Sequence, residues 1–374
     1  MKIIKIFLLL SLVTIFSSCS KNTSSDKKIF NLNISQGIET LEPVMSNSAF
    51  SIWGVQQVME GLVEFDKDKN IVPCIAKSWT ISTDGITYSF NLRSDVKFHD
   101  DDCFKNKKGR NVTAGDFKYC LERVNNPKSK TRGLWVFRDK IKGAKEFSEG
   151  KANEISGIKA VNDSTLQIEL YSAFSPFLSL LTMTYGFIYP KEAVDFYGDK
   201  LGFHPVGTGP FKFNHWSIDK ELVLDKNPNY WEKDLKGTAL PYLDGVKITF
   251  TQSSETEFLD FQNGKYDFHQ PSSETFDVIT DESGKLKDAD TKNFTMVKQP
   301  WLQTVFLGMM QSPELPGGKT GPFAGNKKSR EALNYAIDKD KIVKFVLKNR
   351  GKSAVNGPIP PGMPGFNPQI KGYT

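Results

Sequence analysis

The chain has 374 residues, of which 39% are hydrophobic and 25% are charged, so it can bury a large core and form two or more domains. The net charge of +6 is small for this length, and lysines are interleaved with acidic residues rather than collected in blocks. The sequence therefore lacks the charge pattern of a nucleic-acid-binding protein.

The chain begins with a basic and then apolar segment that is typical of exported proteins. Lys2 and Lys5 supply positive charge, and Ile6 to Phe16 form an apolar run that is too short to span a bilayer. Two serines and then Cys19 follow this run. The segment resembles a bacterial lipoprotein signal, which implies cleavage before Cys19 and attachment of lipid to its sulfur.

The leader defines the first two segments of the chain. We expect residues 1–18 to be a signal peptide and residues 19–28 to be a flexible tether, because this polar run cannot bury itself. An ordinary secretory signal with an incidental cysteine is the alternative, since Phe16 is unusual at its place in a lipoprotein signal. Both interpretations predict export. The lipid interpretation predicts a cell-envelope protein, anchored to a membrane on its periplasmic or extracytoplasmic face.

Three cysteines lie beyond the leader. Cys74 stands in an apolar segment and is expected to pack in the core. Cys103 and Cys120 could form a disulfide, but their spacing does not decide between a disulfide and two thiols. No CxxC pair is present, and we predict neither a metal site nor a cofactor.

Short strands and helices are predicted in the middle of the chain. From Ile86 to Leu92, apolar and polar residues alternate behind an Asp-Gly turn, which predicts a half-buried strand. Thr113 precedes Asp116 by three residues, a capping-box pattern that predicts the start of a helix. A second alternating run extends from Leu166 to Leu170. These patterns predict a mixed α/β (α+β) fold.

A helical pattern also lies late in the chain. Leu333, Ala336 and Ile337 form an apolar stripe with helical spacing, which predicts a buried helix face. Asp338 to Asp340 then supply a stop and a new N-cap before Ile342.

Short segments spread over the mature chain carry recognisable motifs, among them EGL, VGTGPF and NPNYW. They are Met59–Leu62, Ala76–Trp79, Asp84–Arg93, Val96–Asp100, Thr113–Arg123, Ile155–Ile158, Val206–Phe211, Asn227–Trp231 and Arg330–Asp338. Together these segments resemble family 5 of the extracellular solute-binding proteins, the dipeptide and oligopeptide receptors of ABC importers. Each motif also has a structural interpretation as a turn, a packing tryptophan or a helix face, so the motifs indicate the scaffold rather than the pocket.

The resemblance implies a two-lobed periplasmic-binding-protein-like fold with an extra N-terminal subdomain. Residues 29–298 are then expected to form the first lobe, with the extra subdomain at about 62–190, and residues 299–374 the start of the second lobe. Members of the family continue well beyond the Pro-rich stretch at 358–364, whereas this sequence stops at Thr374. We therefore expect an incomplete second lobe, in either a fragment of a longer protein or a truncated product.

The resemblance also implies a function. The chain is expected to be the substrate-binding lipoprotein of an ABC importer, which captures dipeptides or oligopeptides by closure of its lobes. Its expected partners are a peptide or other small solute, the membrane permease with its ATPase, and the membrane that holds the lipid anchor. No covalent chemistry is needed, so neither an enzyme nor catalytic residues are predicted, and a monomer is expected.

Five residues are candidate ligand contacts. Glu42 stands in a segment that matches the family's motif beside the cleft, where aspartate is the commoner residue. Ser46 and Asn47 follow it as polar candidates, although a solvated turn explains them equally well. Trp301 lies where the chain is expected to cross into the second lobe, and its alternative role is that of a core or hinge-packing tryptophan. Gln303 is a further polar candidate nearby.

Other classes of function stay open to different degrees. An enzyme is disfavoured because the histidines form no HExxH pattern and no GxSxG motif is present. A surface lipoprotein that binds a signalling peptide, or another solute such as a nickel chelate, haem or a sugar, is an alternative, as is a non-functional fragment. The sequence does not separate these ligands, and peptide is the default for the family.

Overall fold

The computed structural model describes residues 27–281, 284–287, 290–299, 302–312, 314–315 and 319–372 of the chain. The chain forms two compact units, of which the first ends at His269 and the second begins at Gln270. The lobe boundary at residues 298 and 299, and the extra subdomain at 62–190, stay predictions. None of the helices in the described ranges is long and apolar enough to cross a bilayer.

Groups of strands and groups of helices are mixed along the chain, as the sequence patterns predict. The strands are β1 (Ile29–Asn33), β2 (Val63–Phe65), β3 (Ile71–Pro73), β4 (Ala76–Ile81), β5 (Thr87–Leu92), β6 (Ile158–Asn162), β7 (Thr165–Glu169), β8 (Phe211–Ser217), β9 (Glu221–Lys226), β10 (Gly245–Thr249), β11 (Glu314–Leu315) and β12 (Lys319–Thr320). The α-helices are α1 (Ala49–Val58), α2 (Ala114–Asn125), α3 (Leu134–Phe137), α4 (Ala144–Ser148), α5 (Phe177–Leu181), α6 (Lys191–Tyr197), α7 (Ser254–Gln262), α8 (Ser273–Ile279), α9 (Lys327–Ala336) and α10 (Lys339–Lys341).

Two four-stranded sheets organise the first unit. One has the strand order β1-β10-β9-β8, in which β1 runs parallel to β10 and the other neighbours are antiparallel. The other has the order β4-β5-β7-β6 and is antiparallel throughout. The parallel pairing of β1 with β10 joins segments that are far apart in the sequence, so the first sheet closes only after most of the unit has been synthesised.

The local predictions for the second sheet are confirmed. In β5 the side chains of Tyr88, Phe90 and Leu92 are buried while their neighbours are more exposed, as the period of two requires. In β7, Leu166 and Ile168 are buried in the same way. These residues form the face of the sheet that lies against the core.

Helix α2 begins at the predicted capping box and covers the second sheet. The backbone N–H of Thr113 donates to Asp116 Oδ2 at 2.8 Å, and the Thr113 side chain accepts from the N–H of Asp116 in return. Phe117 and Leu121 are buried on the face toward β6 and β7. The capping box therefore fixes where the helix starts, and the apolar stripe fixes which face is buried.

The three described cysteines are all free thiols. Cys74 and Cys120 are buried, and the Sγ atom of Cys120 lies 3.3 Å from the carbonyl oxygen of Tyr189. Cys103 is only partly buried and forms no disulfide with Cys120. The packing role predicted for Cys74 is confirmed.

The second unit contains α8, α9, α10 and the short pair β11 and β12. Helix α9 ends at Ala336, and the side chain of Asp338 then caps α10 by accepting from the N–H of Lys341 at 2.9 Å, as predicted. The predicted burial of the stripe on α9 is wrong: no residue of this helix is buried. The apolar side chains that follow, such as Phe345 at 62% exposure, are also not buried by other residues in the described part of the unit.

Candidate functional site

Residues 39–47, named here the 39–47 loop, contain three of the predicted ligand contacts. Leu41 and Val44 are buried in the core of the first unit. The backbone N–H of Leu41 donates to the carbonyl oxygen of Gly202 at 2.8 Å, and Pro43–Met45 form one turn of 3-10 helix. These contacts hold the loop as a fixed part of the unit.

Glu42 is part of a buried ion pair. Nη2 of Arg123, on α2, lies 2.5 Å from Glu42 Oε1, and both side chains are less than 15% exposed. Nη1 of the same guanidinium donates to the hydroxyl of Tyr189 at 3.0 Å. Burial raises the pKa of Tyr189 well above its usual value, so this phenol stays neutral. The Glu42 carboxylate thus ties the loop to α2, and its role as a ligand contact stays a prediction.

Ser46 and Asn47 have different environments. Ser46 is fully buried, and its hydroxyl donates to the backbone carbonyl of Glu42 at 2.8 Å, which closes the turn of the loop. Asn47 is exposed, and its amide oxygen accepts a hydrogen bond from Nη1 of Arg132. Of these two predicted contacts, only Asn47 presents its side chain at the surface.

The structure adds a neighbour of the loop that the sequence patterns did not single out. The backbone N–H of Arg132 donates to the carbonyl oxygen of Val44 at 2.8 Å, so the segment before α3 lies directly on the loop. Trp135, three residues further on, is 64% exposed. The sequence feature that could have identified this neighbour is an arginine and a tryptophan shortly after the motif that ends at Arg123. No periodic pattern connects these two residues to the 39–47 loop.

The remaining predicted residues lie elsewhere. Cys19 and Trp301 are outside the described residues. Gln303 is an exposed residue of the second unit. The structure therefore brings Glu42, Ser46 and Asn47 together in one loop, while the grouping of Trp301 and Gln303 with them stays a prediction.

Three of the recognised motifs meet at the buried carboxylate of Glu60. Glu60 is 7% exposed and accepts hydrogen bonds from Thr208 Oγ1 at 2.7 Å, the Tyr230 hydroxyl at 2.9 Å and Trp231 Nε1 at 3.1 Å. Burial raises the pKa of Glu60 to about 7, although each of the three hydrogen bonds lowers it. The guanidinium of Arg93 covers the Trp231 ring at 4.1 Å. The predicted packing role of Trp231 is confirmed, and the cluster is structural.

His99 belongs to a fourth motif and contacts the turn that contains Gly207 and Gly209. Its Nδ1 accepts from the N–H of Gly207 at 3.4 Å, so Nε2 carries the proton and donates to the Gly209 carbonyl at 2.9 Å. Burial lowers the pKa of His99 to about 4. A Cβ atom on Gly209 would lie 2.7 Å from the carbonyl carbon of Val58, at the end of α1. Glycine is required here by close backbone packing, as expected for a tight turn.

The described residues do not assemble a metal centre: within these ranges no group of three or more His, Cys, Asp or Glu side chains could hold an ion. What the first unit offers instead is a rigid polar surface at the 39–47 loop, bordered by Arg132. Fixed polar groups of this kind can orient a ligand by hydrogen bonds without taking part in bond breaking.

Comparison with known proteins finds relatives for most of the chain. A family model described as bacterial extracellular solute-binding proteins, family 5 middle, matches residues 70–374. A glutathione-binding protein of Pectobacterium atrosepticum is 29% identical over 321 residues, which cover 86% of this chain and 54% of that protein. The dipeptide-binding protein DppE of Bacillus subtilis is 28% identical over 343 residues, covering 90% and 56%. The chain therefore spans about half the length of these relatives.

Comparison with solved structures identifies the type of fold. OppA of Listeria monocytogenes, bound to peptide, aligns with a TM-score of 0.73 at 26% identity and covers 93% of this chain and 63% of that one. DppA of Helicobacter pylori, in complex with the peptide STSA, aligns with a TM-score of 0.73 at 25% identity, covering 93% and 64%. The first is described as bound to peptide, and the second is by name an ABC transporter-associated periplasmic binding protein. The predicted mixed α/β fold of the periplasmic peptide-binding type is confirmed.

Proposed function

The chain belongs to family 5 of the bacterial extracellular solute-binding proteins, and from this membership we propose that it is the substrate-binding component of an ABC importer that captures short peptides. The observation that carries the proposal is the fold match to two receptors that hold peptides in their structures. The matched relatives are binding proteins, and a receptor of this kind needs no catalytic residues.

Capture works by enclosing the peptide and pairing with its main chain. The peptide backbone presents the same N–H and C=O groups in every sequence, so recognition of these groups gives affinity for many peptides. Asn47 supplies an exposed amide for this purpose, and Glu42 and Ser46 act by holding the 39–47 loop in shape. Trp301 and Gln303 are the other two proposed contacts to the ligand. Closure then presents a changed surface to the permease and its ATPase.

The protein works at the outer face of a membrane, to which lipid on Cys19 attaches it. A single acyl chain gives only marginal binding, so several chains are needed for stable anchoring. Metabolic labelling with a fatty acid marks the wild type, and Cys19→Ala abolishes the label and releases the protein. Label that persists in the variant would show that Cys19 is not the attachment site.

Glutathione is a second candidate ligand. It is favoured by the names of several relatives at 27 to 29% identity, which are called glutathione-binding proteins. Glutathione is itself a short peptide with a γ-linkage, so the two candidates differ in backbone geometry rather than in chemical class.

Isothermal titration calorimetry of the purified protein with a peptide panel tests the proposal. Neutral dipeptides to tetrapeptides should bind with affinities that differ by less than about tenfold, because main-chain contacts dominate. Acetylation of the peptide α-amine should weaken binding, since it removes a positively charged donor of the peptide that can form charge-assisted hydrogen bonds. Binding of glutathione alone would favour the second candidate. Binding of a metal chelate, haem or sugar in place of any peptide would refute both.

A further inference from the structure

The guanidinium of Arg132 has hydrogen-bond donors that the first unit does not use. Its Nη1 donates to Asn47 Oδ1 and approaches Glu39 Oε2 at 3.4 Å. Its Nε and Nη2 donate to no atom of the residues that the structure describes. The side chain is 42% exposed and that of Glu39 is 64% exposed, so the ion pair between them is a weak one at the surface.

Two other arginines in the same unit are paired with carboxylates. Arg138 donates through Nε to Ser148, through Nη1 to Asp139 and through Nη2 to Glu149. Arg123 is buried against Glu42, as described above. Arg132 thus differs from both in having one edge of its planar fork, Nε and Nη2, directed to no carboxylate among the described residues.

The position of Arg132 is fixed although its side chain is exposed. Its backbone N–H bonds to the Val44 carbonyl at 2.8 Å, and the hydroxyl of Thr131 approaches the same oxygen at 3.4 Å. The next residue, Gly133, packs so closely on the ring of the buried Tyr185 that a Cβ atom would overlap it. A cation on a rigid backbone, next to the exposed amide of Asn47, loses little conformational freedom when it binds an anion.

We propose that Arg132 is a specificity-determining residue that binds a carboxylate group of the ligand, so that the protein prefers acidic peptides. The inference rests on the proposed function as a peptide receptor. Nε and Nη2 form the two-donor edge that matches a carboxylate, a geometry that lysine cannot reproduce. Glu39 is the internal anion that a ligand carboxylate displaces or competes with. Removal of Glu39 should therefore have the opposite effect from removal of Arg132.

Calorimetry with two peptides of equal length and shape tests this inference. The peptides Ala-Glu-Ala and Ala-Gln-Ala differ only in a carboxylate and an amide. The wild type should bind the acidic peptide about fivefold more tightly, which corresponds to a partly exposed charge pair. Arg132→Gln should bring the affinity ratio of the two peptides to about 1, and Arg132→Lys should leave it in between. Glu39→Gln should raise the ratio above that of the wild type.

A matched control separates the local effect from a change of net charge. Arg138→Gln removes the same charge from an arginine that is fully paired, and it should leave the ratio at the wild-type value. An equal ratio in the wild type and Arg132→Gln, or a fall of the ratio in Glu39→Gln, would overturn the inference while leaving the peptide-receptor function intact. If Arg132→Gln fails to fold, the sign of the Glu39→Gln effect decides. If the wild type binds neither peptide, the proposed function fails, and this inference fails with it.

Discussion

The buried Glu60 and His99 should make opposite contributions to the pH dependence of stability. The pKa of Glu60 is raised from 4.5 to about 7, so its protonated form is favoured in the folded state. Its contribution to stability is complete below pH 4.5 and is lost as the pH rises through about 7. The pKa of His99 is lowered from 6.5 to about 4. Its contribution is present above pH 6.5 and is lost as the pH falls through about 4.

The two effects overlap and have similar size. Each pKa difference corresponds to about 3 kcal/mol, at about 1.4 kcal/mol for each pH unit between the folded and unfolded values. Between pH 4.5 and 6.5, Glu60 lowers stability with rising pH while His99 raises it, and the two slopes nearly cancel. In the wild type, this pair should therefore add little net pH dependence within that window.

Single substitutions should separate the two opposing pH dependences of the free energy of unfolding. The free energy of unfolding of Glu60→Gln minus that of the wild type should rise by about 3 kcal/mol from pH 4.5 to 7. The same difference for His99→Asn should fall by about 3 kcal/mol from pH 4 to 6.5. Urea unfolding followed by circular dichroism at half-unit pH steps measures both, and subtraction of the wild-type value cancels the titration of all other groups.

A constant difference between Glu60→Gln and the wild type over this pH range would show that the Glu60 carboxylate titrates in the folded state as it does in the unfolded state. In that case the three donors around it would fully compensate its burial, and the predicted contribution of Glu60 to the pH dependence of stability would be refuted.

Three further predictions concern stability and local order. Arg123→Ala should cost about 3 to 5 kcal/mol in urea unfolding, because it leaves the buried Glu42 carboxylate unpaired; a loss below about 1 kcal/mol would contradict a buried pair. Gly209→Ala should lower stability by about 1 to 3 kcal/mol, because its Cβ would press on the Val58 backbone, and a neutral effect would mean that α1 can shift. In limited chymotrypsin digestion analysed by mass spectrometry, cleavage at the exposed Phe345 should precede cleavage at the buried Phe90; the reverse order would disprove the difference in cover.

The features that the sequence predicts correctly are those encoded within a few neighbouring residues. Alternation of apolar side chains locates β5 and β7, because side-chain direction in a strand repeats every two residues. The capping box at Thr113 locates the start of α2 for a similar reason, since both of its partners lie within one turn. Such patterns need no knowledge of the rest of the chain.

The features that escape prediction depend on distant segments. Arg132 reaches Asn47 across 85 positions of the sequence, and Thr208 reaches Glu60 across 148. No local period encodes either contact, because both arise only when the whole first unit has folded. The stripe on α9 fails for the converse reason: its helical pattern is correct, but burial depends on a partner surface that the pattern does not specify.

The distribution of the recognised motifs has a consequence for ligand preference. Glu60, Thr208, Trp231 and His99 all belong to motif segments, and their polar atoms are saturated by one another or by backbone groups in the core. Groups with no free donor or acceptor cannot recognise a ligand, so these motifs identify the family without distinguishing its ligands. Discrimination must come from surface groups with unused hydrogen-bonding capacity. Arg132 lies outside every motif segment and is such a group. Ligand preference should therefore depend on Arg132 rather than on the motif residues.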